Sequence, residues 1–489
     1  MLMVLALLIP LSGGALLPLF RFRSVKGRGL YVEAVVLTAT LLVWYLLTRR
    51  TDDLCTLWRM NDMLTLSFRV DGMSRVFAGL VSLLWPLASL YGFSYMTHEK
   101  RPDSFFAFYT MSYAVTLAVA LAANLFTLYV FYECLTLMTL PLVTHKQDVA
   151  SIRAGRKYLY FSISGAAMAF MALVFVVYYG GGGPFTLGGV LEPARVMGHE
   201  RLLQAVFLMA FVGFGTKAAI FPMYAWLPAA SVAPTPVTAL LHAVAVVNAG
   251  AFAVLRVIYY AFGAEFLYGS PAQTVALGLS CLTIVFGSAM AVREQHLKRR
   301  LAFSTVSNLS YMLMGAALMT PGGMTGSLSH LVFHGVMKIT LFFCAGAILV
   351  RTGKEYVQDL RGYGRVMPFT LGVLTLAGIA LVGVPPLCGF VSKWELLTAA
   401  AQSGMAMGIV AVAALIVSAI LTAVYLFTVI VPAHFRPLNA DQAALAAKRL
   451  DPGWMMKLPM GLLCLAMAGL GMWSGPLISF LRQLSAGGL

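Results

Sequence analysis

The long apolar runs of this 489-residue sequence contain ionisable side chains, foremost Glu133, Lys217, Lys338 and Lys393. A charge at the centre of a bilayer costs at least about 2.5–3.5 kcal/mol, so a residue of this kind within a membrane span indicates function. Lysine in an apolar setting readily changes its protonation state, and a buried carboxyl can do the same. These residue types predict proton transfer. The alternative for Glu133 is a protonated carboxyl that only supports packing.

A second polar pattern surrounds Lys338. His330 and His334 precede it at intervals of four residues, so all three side chains share one face of a helix. The alternatives to a proton relay are isolated hydrogen bonds between helices and a metal site. Two histidines four apart can bind zinc, but this stripe carries no carboxylate or thiolate. We therefore expect a relay without a metal ion.

Prolines interrupt two of the apolar runs close to a lysine. Pro222 and Pro228 follow Lys217, whereas Pro385 and Pro386 precede Lys393. Proline breaks a helix, and a broken helix is tolerated in a membrane only where its freed backbone groups face protein or a wet cavity. We therefore predict that Lys217 lies beside a hydrated pocket. The alternative is that its side chain reaches out to the membrane surface.

The elements that position these residues follow from the composition, which is 60% hydrophobic and 11% charged. Soluble domains carry about 25% charged residues, so an aqueous surface of ordinary size is excluded. Continuous apolar runs of about 20 residues predict membrane-spanning helices rather than a barrel. We expect an all-α polytopic membrane protein. Its 14 predicted spans are 2–20, 29–48, 73–96, 104–122, 124–143, 156–179, 202–221, 236–259, 271–291, 300–318, 327–350, 367–387, 405–432 and 457–481.

The 34 basic residues support this arrangement. If both termini lie outside, 22 basic residues fall on the cytoplasmic side, nine on the outer side, and three within spans, as the positive-inside rule requires. We therefore predict a multi-pass protein of the inner (cytoplasmic) membrane. The net charge of +16 is explained by this topology, so no nucleic-acid partner is expected. The six cysteines form no CxxC pair, so no cofactor or redox centre is expected either.

The spans also show an internal repeat. Spans four to eight and nine to thirteen contain five helices each, and the proline-broken helix is the fourth in both sets. Because five is odd, the second set enters the membrane from the opposite side, which is the pattern of an inverted repeat. Lys217 and Lys393 would then occupy related positions.

These spans divide the chain into four segments. The loop at 49–72 alternates apolar and polar residues over 64–70, which predicts a short strand pair on the outer face. The segments are 1–103, with three helices and this loop; 104–262, the first five-helix repeat; 263–434, the second repeat; and 435–489, a C-terminal loop and the last helix.

Six stretches of the sequence resemble one known family, the antiporter-like membrane subunits shared by respiratory complex I, Mrp-type multisubunit cation/proton antiporters and membrane-bound hydrogenases. The resemblance covers spans three to thirteen. The stretches are VDGMS at 70–74, FYECLTLMTLPL at 131–142, KAAIFPMYAWLPAASVAPTPVTALLHA at 217–243, HLKRRLAFSTVSNLSYM at 296–312, HLVFHGVMKITLFFCAGA at 330–347 and GVPPLCGFVSKWELL at 383–397.

The resemblance implies 14 helices, two inverted five-helix repeats and a hydrated polar axis in the membrane plane. It implies that Glu133 and Lys217 form a glutamate–lysine pair. Lys338, with His330 and His334, matches the central relay. Lys393 matches the terminal proton-exchanging lysine, and a lysine here resembles the Mrp-D type and some hydrogenase and complex I copies.

One position departs from the family pattern. Many relatives carry lysine where Asn248 stands, and an amide cannot hold a proton as a charge. For the relay, either water and His242 bridge the gap between Lys217 and Lys338, or the relay is weakened here. The alternative for Asn248 itself is that it makes only a packing hydrogen bond. His242 lies six residues earlier on the same span, so direct contact between the two is not expected.

The predicted function is therefore proton translocation, with cation/proton antiport and Na+ as an alternative, by one membrane subunit of an energy-converting multisubunit complex. Its expected partners are other membrane subunits and the lipid bilayer. The chain has no active site of its own and would serve a redox-driven pump or an Mrp-type antiporter. Two alternatives remain, a stand-alone secondary transporter for an organic solute and a structural membrane subunit with an inactive relay, which Asn248 favours.

Overall fold

The computed structural model describes residues 2–20, 22, 24–49, 53–437, 442, 445, 446 and 448–488. The predicted segments 1–103 and 435–489 each include residues outside this part of the chain. Three basic residues of the charge count, Arg21, Arg23 and Arg50, also lie outside the described residues.

The N-terminal part contains three long helices and a strand pair. The helices are α1 (Leu2–Leu16), α2 (Val25–Thr48) and α3 (Gly72–Tyr95), and the strands between α2 and α3 are β1 (Cys55–Arg59) and β2 (Thr65–Phe68). The two strands are antiparallel, which confirms the predicted strand pair. The side chain of Asn124 donates a hydrogen bond to the Thr65 carbonyl (2.9 Å), so the pair is fixed to the helices below it.

The middle of the chain alternates long helices with short ones. Its helices are α4 (Pro102–Leu121), α5 (Leu125–Val143), α6 (Val149–Gly180), α7 (Pro193–Val196), α8 (Glu200–Gly215), α9 (Trp226–Ala229), α10 (Thr235–Ala243), α11 (Val246–Arg256) and α12 (Ala264–Leu267). A π-helical turn over Val257–Phe262 continues α11.

The second half repeats this alternation. Its helices are α13 (Pro271–Arg293), α14 (Leu297–Ala317), α15 (Pro321–Thr352), α16 (Tyr363–Val366), α17 (Pro368–Val382), α18 (Cys388–Gln402), α19 (Ala406–Phe435), α20 (Trp454–Met472) and α21 (Gly475–Ser485). The last predicted span, 457–481, is thus two helices rather than one, because α20 ends at Met472.

Among the described residues, 11 helices are long and apolar enough to cross a membrane, so the chain is a predominantly helical, multi-pass membrane protein. Three of the predicted spans are not among them. They correspond to α8 and α17, which have only 16 and 15 residues, and to α14, which carries three basic residues in its first turn.

Helix α15 is the centre of the fold. It packs against α3, α10, α14, α17 and α18, and 94% of its most apolar window is buried inside the protein. A helix enclosed by protein on all sides can carry polar side chains without exposing them to lipid. The His330, His334 and Lys338 stripe lies on this helix, and each of the three residues is fully buried.

Three helical runs are broken, and at two of these breaks the helix ends before the prolines. Helix α8 ends at Gly215 before Pro222, and α17 ends at Val382 before Pro385 and Pro386. The third break separates α10 from α11 at residues 244–245, inside the predicted span 236–259. No proline or glycine occupies it, so the sequence did not indicate this break.

A buried ion pair fixes the end of α11 that lies beside the strand pair. The guanidinium of Arg256 donates to both carboxylate oxygens of Asp71 (2.6 and 2.7 Å) and to the hydroxyl of Ser74 (3.1 Å). Asp71 also caps α3 through the backbone N–H of Ser74. A paired, bidentate geometry of this kind offsets the cost of burying both charges.

Candidate functional site

Glu133 and Lys217 form an ion pair between α5 and the segment that follows α8. The Lys217 Nζ atom lies 3.5 Å from Oε1 of Glu133, donates a hydrogen bond to the backbone carbonyl of Tyr132, and sits 3.5 Å from the centre of the Tyr132 ring. Lys217 is 1% exposed, whereas the Glu133 side chain is 25% exposed. The ammonium is therefore surrounded by protein groups, and the carboxylate lies at the margin of the bundle.

The local backbone explains why Lys217 points at α5. Helix α8 ends two residues earlier, and the indole N–H of Trp226 donates to the freed carbonyl of Thr216 (2.8 Å). On the other side, Gly250 of α11 lies so close that an added Cβ would be 2.5 Å from the backbone nitrogen of Ala218. Only glycine permits this approach, so the segment carrying Lys217 is clamped between α11 and Trp226.

His242 and Asn248 lie on either side of the break between α10 and α11. The ring of His242 is fully buried, and its centre is 4.8 Å from that of Phe342. Asn248 donates to the Ala243 carbonyl (2.8 Å). Within the described part of the chain, both ring nitrogens of His242 and Oδ1 of Asn248 have no hydrogen-bond partner. Because buried polar atoms are normally paired, water is expected at this break.

The Lys338 side chain points from α15 to α14. Its ammonium donates to the Leu301 carbonyl (3.1 Å) and to the hydroxyl of Ser304. Lys338 interacts electrostatically with both Lys393 and His242, so it occupies the middle of the line of buried charges. It has acceptors for its protons but no carboxylate partner among the described ion pairs.

The two histidines of α15 continue from Lys338 towards α18. The ring centres of His330 and His334 are 5.8 Å apart, and Nδ1 of His330 lies 2.9 Å from the hydroxyl of Ser392. Ser392 is the residue before Lys393. The predicted stripe therefore lies on one face of α15 and ends beside the last predicted lysine.

Lys393 lies in α18 and reaches back across the break to the end of α17. Its ammonium donates to the carbonyls of Leu381 (2.7 Å) and Val382 (2.9 Å). These carbonyls are freed by the end of the helix, where the helix dipole is negative, so they favour a cation. The break therefore creates the binding site for this lysine.

The two lysines differ in how they relate to the breaks. Lys217 lies in the break itself, whereas Lys393 lies in the helix after the break. Their Nζ atoms also bind different groups, a carboxylate and a mid-helix carbonyl for Lys217, and two helix-end carbonyls for Lys393. The structure thus brings Glu133 and Lys217 together and holds Lys338 and Lys393 at separate sites.

The sequence analysis missed the burial of charged residues near the membrane boundaries, among them Lys298 and Glu33. Lys298 was assigned to a loop, but α14 begins at Leu297, and the buried Lys298 donates to the Ala233 carbonyl (3.0 Å). Glu33 lies inside α2, where Ser89 donates to its carboxylate. Each residue lies within four positions of a predicted span boundary. A charged residue at that position is expected at the membrane surface, so the sequence did not indicate that it is buried.

The fold and these buried groups define a class of protein, a polytopic membrane subunit with broken helices and ionisable residues spread along its interior. The sequence assigns the chain within that class. Residues 122–421 match the family described as "NADH:quinone oxidoreductase/Mrp antiporter, TM", and the chain belongs to this family. The predicted family is confirmed.

Individual relatives come from several kinds of complex. NADH-quinone oxidoreductase subunit N of Desulforudis audaxviator (strain MP104C) is 33% identical over 396 residues, which cover 79% of this chain and 75% of that protein. A Na(+)/H(+) antiporter subunit of Alkalihalophilus pseudofirmus is 31% identical over 68% of this chain. Hydrogenase-4 component B of Escherichia coli (strain K12) is 30% identical over 67%. The matches cover only 42% and 50% of the last two proteins.

Two solved structures have the same fold. A chain of the archaeal membrane-bound sulfane sulfur reductase superimposes with a TM-score of 0.84 at 20% identity, covering 99% of this chain and 97% of that one. A chain of the Mrp complex from Dietzia sp. DQ12-45-1b gives 0.80 at 24% identity, covering 99% and 52%. The chain is thus a membrane antiporter-like subunit related to complex I, Mrp antiporters and hydrogenases.

Proposed function

We propose that this chain translocates protons through the inner (cytoplasmic) membrane as one subunit of an energy-converting multisubunit complex. The observation that supports this most directly is the line of enclosed ionisable groups. It starts at the Glu133–Lys217 pair, passes the break with His242 and Asn248, continues along the α15 stripe and ends at Lys393.

The surroundings of each lysine suit reversible protonation. Carbonyl and hydroxyl oxygens accept hydrogen bonds from an ammonium ion, and a neutral amine can still donate to them. Only Lys217 has a carboxylate next to it among the buried lysines described above. Protonation of Glu133 would remove that counter-charge and favour release of a proton from Lys217 towards Lys338.

The proposed membrane topology is derived from the observed helices. Adding α8, α14 and α17 to the 11 candidate spans makes fourteen crossings. The breaks after α8 and α17 support two inverted five-helix repeats, 104–262 and 263–434, with both termini outside. Other membrane subunits of the complex are the proposed partners, and protons, or Na+ in exchange for protons, are the proposed cargo.

A stand-alone transporter for an organic solute is less well supported. Such a protein gathers its polar groups around one substrate site, whereas here they are held separately by α5, α15 and α18. A structural subunit with an inactive relay is the second candidate, because Asn248 interrupts the series of titratable groups.

Replacing Lys338 tests the proposed function. In the intact complex reconstituted into liposomes, Lys338→Met should slow proton translocation by at least about tenfold, equivalent to about 1.4 kcal/mol in the barrier, because the only amine at the centre of the described line is lost. Lys157→Met removes an exposed lysine of α6 and should leave the rate unchanged. Normal pumping by assembled Lys338→Met would contradict the proposal and favour the structural subunit.

Replacing Asn248 tests whether the path passes the break between α10 and α11. Asn248→Leu keeps the volume but removes the amide that orients water, so it should impair translocation, while Asn248→Lys should be tolerated. The initial rate of acidification in liposomes measures both. If Asn248→Leu pumps normally and its surroundings prove dry in an experimental density map, the path runs elsewhere.

A further inference from the structure

Tyr311 of α14 lies beside Lys393, and the relay described above gives it no role. The centre of its ring is 5.5 Å from the Lys393 ammonium nitrogen and 5.3 Å from the ring centre of His330 on α15. Tyr311 is fully buried. Its ring therefore packs against the last ionisable groups of the relay.

The Lys393 ammonium has no carboxylate partner among the described ion pairs. The carboxylate nearest to it in the sequence, that of Glu395, lies 2.8 Å from the guanidinium of Arg482. Two helix-end carbonyls accept hydrogen bonds from the ammonium, but they carry only partial charges. An aromatic ring is negative on its face, and a cation within about 6 Å of the ring centre is attracted to it. The Tyr311 ring therefore supplies a negative surface where no carboxylate is present.

The hydroxyl of Tyr311 fixes the far end of this side chain. It donates to Ser418 of α19 (2.7 Å), and the Ser418 hydroxyl also contacts the hydroxyls of Ser288 on α13 and Ser307 on α14. Ser307 in turn donates to the backbone carbonyl of Ile284 (2.8 Å). Four buried hydroxyls from three helices thus form one cluster that holds the ring in place.

This hydroxyl cluster is an anchor rather than a proton path. The Ile284 carbonyl, at which it ends, belongs to the backbone of α13 and has no proton to pass on. Among the described residues, the three serines are hydrogen-bonded to one another, to Tyr311 and to backbone carbonyls, and to no charged side chain. Tyr311 therefore contacts the relay through its ring.

A second lysine of the relay has the same arrangement. The Lys217 ammonium lies 3.5 Å from the centre of the Tyr132 ring, and the Tyr132 hydroxyl donates to the Phe214 carbonyl (2.6 Å). In both places a buried tyrosine is fixed through its hydroxyl and presents its ring to an ammonium. Lys338, at the centre of the relay, has no such ring among the described cation–ring contacts. The ring contacts therefore occur at the two ends of the relay.

We propose that Tyr311 is a positioning residue of the terminal proton-exchange site, and that its ring stabilises the ammonium form of Lys393. The inference rests on the proposed function, because it adds a residue to the same proton-exchanging lysine. A proton that arrives along α15 is retained on Lys393 by the ring and the two carbonyls until it is passed on. Without the ring, the amine holds this proton less well and exchange slows.

The test measures the initial rate of proton translocation per assembled complex in liposomes. Tyr311→Leu removes the ring and should slow translocation at least about fivefold, which corresponds to about 1 kcal/mol in the barrier. Tyr311→Phe keeps the ring and should restore most of the rate. Tyr113→Leu is the matched control and should leave the rate unchanged. Tyr113 is an equally buried tyrosine of α4 whose hydroxyl is bonded to Thr40 (2.8 Å), and no cation lies over its ring among the described contacts.

A second series keeps the shape of the side chain and changes only its charge distribution. Analogues of phenylalanine with one, two and three ring fluorines are introduced at position 311, which makes the ring face progressively less negative. The rate should fall with each added fluorine, whereas the same series at position 113 should give a constant rate. A constant rate at both positions would show that Tyr311 only fills space and would overturn the inference. Because the shape is kept, this series decides the question where Tyr311→Leu prevents assembly.

Lys338→Met measured in parallel separates this inference from the proposed function. If Lys338→Met stops translocation while Tyr311→Leu and the fluorinated series run at the rate of the unmodified complex, the role of Tyr311 is overturned and the proposed function stands. If Lys338→Met also translocates normally, the proposed function fails and the inference fails with it.

Discussion

Lys393→Met is expected to reduce proton translocation to background in the assembled complex. The substitution keeps the side-chain length but removes the amine that binds the Leu381 and Val382 carbonyls and that we propose exchanges protons at this end of the relay. If a redox reaction drives the complex, its rate should fall as well, because the coupled steps cannot proceed separately. Proton movement in liposomes and the turnover of the driving reaction measure the two effects.

Lys393→Arg separates proton exchange from structural support. Arginine can still donate to the two helix-end carbonyls, but its guanidinium keeps its proton at any physiological pH. We therefore expect Lys393→Arg to assemble better than Lys393→Met and to translocate as poorly. Full activity in either variant would mean that Lys393 exchanges no protons.

Glu133→Ala is expected to abolish translocation while leaving a complex that can be isolated. Lys217, at 1% exposure, would lose its only carboxylate partner among the described residues. Breaking a buried pair on one side costs about 3–5 kcal/mol in soluble proteins, so Lys217 should lose its proton rather than stay charged. Initial rates of proton uptake and the yield of the purified complex are the measurements.

A double-mutant cycle tests whether the two residues act as a pair. Adding Lys217→Met to Glu133→Ala should cause little further loss of activity, because Glu133→Ala alone already inactivates the pair. It should also recover any lost yield, since no amine remains buried without its carboxylate partner. Independent, additive losses from the two substitutions would show that Glu133 and Lys217 work at separate steps.

Proline indicated two of the breaks in this fold, but only one of them at its position. Helix α17 ends at Val382, just before the Pro385–Pro386 pair, whereas α8 ends at Gly215, seven residues before Pro222. Prolines inside α1, α3, α5, α19 and α20 break no helix. The break between α10 and α11 carries Val244 and Ala245, which give no local signal of a break. Packing between distant segments determines that break, so a reading of local sequence could not find it.

The candidate site was predicted in its residue types but not in its contacts. The cost of burying a charge identified Glu133 and Lys217, and their pairing agrees with what the family resemblance implies. The acceptors of Lys393 and Lys338 are backbone carbonyls, which every residue possesses, so the sequence gives no signal for them. Lys298 and Glu33 were missed because span boundaries read from composition are uncertain by two to four residues.

The anchoring of α11 determines how that helix can move. Arg256 fixes its far end to Asp71, and the hydroxyl of Tyr259 in the following π-turn donates to the Thr320 carbonyl (3.1 Å). Its near end, at Ala245, lies at the break between α10 and α11. A helix anchored at its far end moves most at its near end, where Asn248 lies and where Gly250 packs against the segment that carries Lys217. Small tilts at Arg256 would become the largest displacements where the gap between Lys217 and Lys338 must be opened or closed to water.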